Sequence, residues 1–386
     1  MQNFEFFNPV NIVFGQGQIK KLSKLVPSGT KIMLAYGGGS IFKNGVYDQV
    51  KAALPGYDLV EFGGIEPNPR YETLMKAVEI VRKEKIGFIL AVGGGSVLDG
   101  VKFVAAATLW EGSDPWEFLT NRSLTVTKAI PLGSVMTLPA TGSEMNGNSV
   151  VTRLSTQEKL AFNADAVLPQ FSILDPTTVF SLPEKQVANG IVDAFVHVIE
   201  QYLTYPVNSP IQDRFSESIL VTLVEEGPKV LADRSDYDAA ANFMWAATMA
   251  LNGLIGAGVP QDWATHTIGH ELTAFHNIDH ARTLAIVLPG IMQVKRENKR
   301  EKLLQYGERV WGITSGSADE RIDAAILKTV EFFESVGIPT KLSAYSIGAG
   351  FIRIVCDRFK DRGIKGIGER GDLTIDQIAK VLNLQL

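Results

Sequence analysis

Phe88–Lys102 reads FILAVGGGSVLDGVK. An apolar run rich in strand-forming side chains gives way to Gly93-Gly94-Gly95-Ser96, and Asp99 and Lys102 follow at the spacing of the first turns of a helix. Strand, glycine turn and helix in that order form the repeating unit of a parallel α/β sheet. Ligands bind at the carboxyl ends of such strands, and glycine there lets backbone N–H groups approach a phosphate without a β-carbon in the way. The design occurs twice, because Ile32–Val46 reads IMLAYGGGSIFKNGV, and two such turns suit the two ends of one dinucleotide. Neither copy carries the third glycine of GxGxxG, since Phe42 and Leu98 stand there, and neither ends in the Gly-Lys-Ser/Thr of a Walker loop. A third loop, TLPATGSEMNGNS from Thr137 to Ser149, again follows an apolar run and is dense in hydroxyls and glycine. It has the chemistry to close over a ribose and a nicotinamide amide, the competing reading being a plain polar turn. The candidate dinucleotide contacts are therefore Gly37, Gly38, Gly39, Ser40, Gly94, Gly95, Ser96, Asp99, Lys102, Thr137, Thr141, Ser143 and Asn146.

Outward from these turns, strand signals at Lys31–Tyr36, Asp58–Phe62 and Gly87–Val92 alternate with helix signals at Gly45–Leu54 and Arg70–Lys85. After Leu182-Pro183 the strand signals stop. Helices are expected over Glu184–Leu203, Pro210–Gly227, Tyr237–Leu254, the histidine-rich region, Asn298–Gly307, Asp319–Val336 and Ile375–Leu384. The chain of 386 residues thus reads as α/β plus all-α, with residues 1–181 a Rossmann-like dinucleotide-binding domain and 182–386 a helical, metal-binding domain. Ala239–Gln261 carries no charge, but its asparagines, glycines and Pro260 suit a buried central helix of the all-α region better than a membrane span. A net charge of −5 with acids and bases interspersed leaves no basic stripe for nucleic acid or an anionic membrane. With Cys356 alone, thiolate zinc sites, clusters and disulfide frameworks are excluded. The start Met1-Gln2-Asn3-Phe4-Glu5 lacks the pattern of a secretory signal, so a cytoplasmic protein is expected.

Four of the five histidines fall in QDWATHTIGHELTAFHNIDHART, Gln261–Thr283: His266, His270, His276 and His280. Upstream, GIVDAFVHVIEQYL sets Asp193 and His197 four apart in an apolar helical segment, on one face. A buried Asp–His pair alone would be a core hydrogen bond. The repetition of the spacing at His266 and His270, with His280 beyond, points instead to a metal. HTIGH differs from the HExxH of zinc peptidases because Thr267 occupies the position of their glutamate base. Nitrogen and oxygen ligation without sulfur suits Fe2+ or Zn2+, with Mn2+ and Ni2+ as further candidates.

These segments, together with GGIEPNPRYETL, ANGIVDAFVHVIEQY and LAIVLP, resemble the group III metal-dependent alcohol dehydrogenases, often called iron-containing, over nearly the whole chain. The similarity is greatest to their branch of NADPH-dependent aldehyde reductases and butanol dehydrogenases. The resemblance implies a fold shared with the dehydroquinate synthases: a dinucleotide-binding domain and a helical domain, with the metal in a cleft near the nicotinamide. It implies Asp193, His197, His266 and His280 as metal ligands and puts His270 on the nicotinamide and substrate side; Glu271 and Asp279 are expected to be solvated or locally paired. The family assembles as dimers or larger, so a homodimer is expected, and the β-rich start FEFFNPVNIVFG is suited to pairing across subunits.

The expected activity is NADP(H)-dependent, metal-dependent reduction of small neutral aldehydes to primary alcohols, the metal acting as Lewis acid on the carbonyl oxygen. Ser40 with Lys43 behind it offers no carboxylate to repel a ribose 2′-phosphate, which favours NADPH. Trp245, Leu254, Ile255 and Trp263 are expected to wall an apolar cleft without a cation to grip an acid. Two rival classes are a lyase or synthase of the dehydroquinate synthase type and a non-catalytic metal-binding protein. The synthase would want several cations near the metal, and Ala239–Ala281 has none.

Overall fold

The computed structural model describes residues 1–121 and 123–386. The chain forms two compact units, one of Phe7–Pro183 with Asp233–Thr248, the other of Met1–Phe6, Glu184–Ala232 and Met249–Leu386. Two segments, Met1–Phe6 and Asp233–Thr248, thus lie in the other unit from the one that a single cut at residue 181 assigns them.

In the first unit, β1 (Asn11–Phe14), β2 (Ile32–Tyr36), β3 (Leu59–Phe62), β4 (Phe88–Gly94), β5 (Leu132–Leu138) and β8 (Phe171–Leu174) make one parallel sheet in the order β1-β8-β5-β4-β2-β3. Between β5 and β8 the chain makes an antiparallel hairpin, β6 (Asn148–Arg153) and β7 (Glu158–Asn163). The helices of this part are α1 (Leu22–Leu25), α2 (Val46–Ala53), α3 (Tyr71–Glu84), α4 (Gly95–Thr108) and α5 (Glu117–Thr120). The central strands β2 and β4 are apolar because both faces are buried, whereas the flanking β1 and β3 are partly exposed. Ile32, Leu34, Phe88, Leu90 and Val92, every second residue, share a core with Val46 and Val50 of α2, while Met33, Ile89 and Ala91 point the other way and are equally buried. β1 pairs within its own chain, on β8.

The second unit is helical: α6 (Glu184–Tyr202), α7 (Pro210–Ala232), α9 (Ala264–His276), α10 (His280–Val294), α11 (Arg300–Trp311), α12 (Ala318–Ser335), α13 (Gly350–Asp361) and α14 (Ile375–Asn383), with α8 (Tyr237–Ala250) lying mostly in the first unit. Several expectations need correction. The central helix is α6, every residue of which from Val187 to Tyr202 is buried. Ala239–Gln261 is helical only to Ala250, after which Gly253 and Gly258 take positive φ angles and break the repeat. Its helix packs in the sheet unit, where Thr248 Oγ1 donates to Glu144 Oε1 and Trp245 lies edge-on to Phe14 at 6.0 Å. α7 continues through Pro228 to Ala232. Next to that proline, Gly227 allows close packing on Ile191 of α6, because a β-carbon there would sit 3.0 Å from the isoleucine. α13 was not expected, since it starts at Gly350 between glycines with no side-chain cap, although Phe351, Ile352, Val355, Cys356 and Phe359 trace its buried face. Strands also recur after residue 183, as the two-residue pair β9 (Gly366–Ile367) and β10 (Leu373–Thr374), too short for periodicity to reveal. α9, α10, α13 and α14 close around Ile268, Leu272, Val287, Ile291, Phe351, Val355 and Val381. No helix among the described residues is long and apolar enough to cross a membrane.

Candidate active site

The three loops read as dinucleotide contacts leave adjacent strands at one edge of the sheet. Tyr36 pairs with Val92 and Gly94 with Leu138, so Gly37–Ser40, Gly93–Ser96 and the loop after Leu138 lie side by side at the carboxyl ends of β2, β4 and β5. From β2 the chain steps outward to β3, and from β4 it steps the opposite way to β5. That reversal is the switch point at which parallel sheets bind ligands.

The two glycine turns use their glycines differently. Gly39 holds φ at +92°, which L-residues rarely adopt, and the backbone then forms a short 3-10 turn over Ser40–Phe42. The second turn is about space. A β-carbon at Gly93 would lie 2.6 Å from Val97, and one at Gly95 would collide with the Thr141 side chain. Gly94 caps α4, so the free N–H groups of that helix face the turn.

Asp99 and Lys102 stand behind this surface. Lys102 is wholly buried, and its Nζ donates to Ser143 O and Oγ at 2.7 and 2.8 Å, Asn146 O and Oδ1 at 2.7 and 3.2 Å, and Asn148 O at 2.9 Å. Asp99 accepts from Ser143 Oγ at 2.6 Å and Val150 N at 3.1 Å. Burial pushes the Lys102 ammonium down to about 8, against the pull of Asp99 and Glu144, and it raises Asp99 and Glu144. Ser143 and Asn146 are spent on the same knot, Asn146 Nδ2 donating to Gly142 O at 2.8 Å, and Thr137 is buried on β5. These residues shape the third loop from beneath; Thr141 is the one of the group that is half-buried.

In the helical unit, α6 presents Asp193 and His197 one turn apart, α9 carries His266 and His270, and α10 opens at His280. One ligand atom each of Asp193, His266 and His280 lies within 4.8 Å of the others. Asp193 Oδ1 is buried without a hydrogen bond, 3.9 Å from Nε2 of both His197 and His280. The His197 ring stacks on that of His266 at 4.9 Å, and the His270 ring lies 5.2 Å from that of His280. A buried carboxylate oxygen among imidazoles, with no thiolate, is a donor set that fits a divalent cation. His276 lies outside the group, exposed and edge-on to Phe351 at 4.5 Å. Gly269 lets α9 and α10 approach, since a β-carbon there would be 2.9 Å from Thr283 Oγ1.

Trp263 stands at the mouth of α9 with φ +62°, a left-handed conformation that costs about 1–2 kcal/mol, and its ring lies edge-on to His266 at 5.0 Å. Of the other expected wall residues, Ile255 is fully buried and Trp245 belongs to the sheet unit. Glu271 is tied across helices rather than solvated or locally paired, while Asp279 is tied across helices and also pairs locally with Arg282 at 3.9 Å. Glu271 accepts from Arg358 Nε at 2.7 Å and Arg362 Nη1 at 2.5 Å, and Asp279 accepts from Lys185 at 2.7 Å and Asn189 at 3.0 Å.

A second buried polar group was missed from the sequence. Glu200 Oε1 accepts from Thr265 N at 3.0 Å, and Lys299 Nζ binds Asp262 Oδ2 at 2.5 Å and Glu369 Oε2 at 2.9 Å. Burial and then Asp262 raise Glu200 and help raise Glu369. For Asp262 burial works the same way, but the hydrogen bond from Glu369 and the charge of Lys299 outweigh it and lower the group. Glu200 was legible as a third polar residue on the Asp193–His197 face; Lys299 and Glu369, far apart in the chain, gave no sign.

The profile described as "Iron-containing alcohol dehydrogenase" matches residues 9–176, and that described as "Fe-containing alcohol dehydrogenase family, C-terminal" matches 187–381. The chain is 56% identical over 377 residues to the NADPH-dependent aldehyde reductase YqhD of Escherichia coli, covering 97% of each, and 38% identical to NADH-dependent butanol dehydrogenase A of Clostridium acetobutylicum, covering 90% of each. Its structure superposes on the crystal structure of E. coli YqhD with a TM-score of 0.98 over 100% of this chain and 99% of that one, at 54% identity. For the NADH-dependent butanol dehydrogenase A of Thermotoga maritima the values are 0.95, 100%, 99% and 36%. With both halves matched and the Asp–His group and glycine turns in these positions, the chain belongs to the iron-containing alcohol dehydrogenase family.

Proposed function

We propose that this protein reduces small neutral aldehydes to primary alcohols with NADPH, holding one divalent metal through Asp193, His197, His266 and His280. The observation that carries the reading is the convergence of Asp193, His266 and His280 on one point, with a buried carboxylate oxygen that makes no hydrogen bond. When bound, such a metal supplies a Lewis acid for the carbonyl oxygen, and NADPH supplies the hydride. The protein's own part is positional. Gly37–Ser40 and Gly94–Ser96 present backbone N–H groups to phosphates, the third loop closes over the nicotinamide end, and His270 stands beside His280 to pass a proton to the product oxygen. Lys185 is already paired with Asp279, Lys299 with Asp262 and Glu369, and Arg358 and Arg362 with Glu271, so an anionic substrate would have to compete for these cations or lose its hydration without a partner. That favours the reductase over a synthase acting on a phosphorylated acid.

The test is metal analysis of anaerobically purified protein with NADPH oxidation by butanal, before and after chelation and readdition of Fe2+, Zn2+ or Mn2+. Activity lost on chelation and restored by a metal is expected; full turnover without metal overturns the reading. kcat/KM should rise from propanal to pentanal, each methylene adding up to about 0.8 kcal/mol, and exceed that for glyoxylate or glyceraldehyde 3-phosphate. For the cofactor, the one acid at the end of β3, Glu61, is engaged by Tyr47 at 2.6 Å and Lys51 at 3.4 Å, which leaves Ser40 to face the ribose. Ser40→Asp is expected to shift preference toward NADH by about 1–3 kcal/mol, read as the ratio of kcat/KM values. We further read the protein as a cytoplasmic homodimer; exposed Phe6 and Phe7 are available to an interface, and sedimentation analysis measures the state.

A further inference from the structure

The polar residues of α6 do not end with the ligand pair. Asn189, Asp193, His197 and Glu200 follow one another at spacings of four, four and three, which keeps them on one stripe of the helix. The inner two are read above as ligands. Each outer one leaves α6 for the opening of another helix. Glu200, 3% exposed, accepts from the backbone N–H of Thr265 at 3.0 Å, and its carbonyl accepts from Asp262 N at 2.8 Å. Both contacts fall just before His266. At the other end Asn189, 7% exposed, donates through Nδ2 to Asp279 Oδ2 at 3.0 Å and accepts from Arg282 Nε at 3.2 Å. These contacts flank His280. The Glu200 end is further braced, because Asp262 is gripped by Lys299, which also holds Glu369 in the turn between β9 and β10.

Position explains why such ties matter. His266 and His280 sit on the first turns of α9 and α10, where backbone N–H groups lack helical partners and helices fray. Trp263 and Asp279, at the two cap positions, make no side-chain cap bond, and at α9 it is Asp262 Oδ1 that accepts from the first N–H, of Ala264, at 3.0 Å. From α6, Glu200 takes the N–H of Thr265 on the first turn of α9, and Asn189 holds the side chains of Asp279 and Arg282 on either side of His280. We infer that Asn189 and Glu200 are positioning residues, which hold the starts of α10 and α9 so that His280 and His266 meet Asp193 at ligand distance. The inference rests on the ligand reading under Proposed function.

The test measures metal binding rather than turnover. Glu200→Ala and Asn189→Ala are each expected to weaken Co2+ and Zn2+ affinity, measured by chelator competition, by about 10–100-fold, and to shift the visible absorption bands of the Co2+-loaded protein. A purely structural role would lower the melting temperature and leave those bands in place. Glu200→Gln keeps an acceptor oxygen for Thr265 N and should retain the parental bands. Parental affinity and spectrum in both alanine variants overturn the proposal, as does a glutamine variant as impaired as Glu200→Ala. Asn189→Ala, which removes no buried charge, serves if Glu200→Ala does not fold. Asp193→Asn is measured alongside. If it keeps its metal, the ligand reading fails and this one with it; if it loses metal while the alanine variants bind like the parent, the ligand reading stands and only this inference falls.

Discussion

Glu144 shows how much a single side chain can set. It is fully buried, with Oε1 bonded to Thr248 and Oε2 without a hydrogen bond, and burial raises its pKa above 4.5. The folded chain therefore keeps the proton over a range in which the unfolded chain releases it. The associated stability is complete below about pH 4.5 and is lost as pH rises through the folded value. Glu144→Gln removes the titration but keeps an acceptor for Thr248. The melting temperature of the parent minus that of the variant should fall as pH rises above about 4.5, and a flat difference would refute the assignment. Glu144 lies in the quoted stretch TLPATGSEMNGNS, yet nothing there marked it as buried. By contrast the pairs Asp193–His197 and His266–His270 were legible from their spacing of four, whereas the choice of Asp193, His266 and His280 among them came from the family resemblance. Legibility failed where a partner comes from a distant segment, as Lys299 and Glu369 do for Asp262.

Elements follow the same division. β2, β4, α2, α3 and α6 lie within a residue or two of their expected bounds, because their apolar periods and their glycine or proline boundaries are local signals. The end of α8, the run of α7 through Pro228 and the existence of α13 depend on what each packs against, and periodicity does not carry that. The third loop is a case in which an element is made by one residue outside it: Lys102 of α4 binds the carbonyls of Ser143, Asn146 and Asn148. Lys102→Met would take the ammonium donor away from those carbonyls. A loss on the order of 3–5 kcal/mol in urea unfolding is expected, with weaker NADPH binding from the loosened loop. A loss under about 1 kcal/mol would show that the loop holds itself.

At the scale of the whole chain, strand order carries a consequence for assembly in time. β1 ends at Phe14, and the neighbour on which it pairs, β8, begins only at Phe171. At a synthesis rate of about 5–20 residues per second, the first strand emerges from the ribosome on the order of ten seconds before its template exists. β2 and β4 lie closer in sequence and pair first, since loop closure favours the shorter separation. Until β8 arrives, Asn11–Phe14 and the exposed phenylalanines before it, Phe4, Phe6 and Phe7, stay available to other chains. In pulsed hydrogen exchange during refolding, the amides of Asn11–Phe14 and Phe171–Leu174 should gain protection together, and later than those of Ile32–Tyr36 and Phe88–Val92. Early protection of β1 would mean that it finds a temporary partner. A nascent chain of this topology therefore spends much of its synthesis with Phe4–Phe14 unsheltered, which makes that segment a natural target for a chaperone.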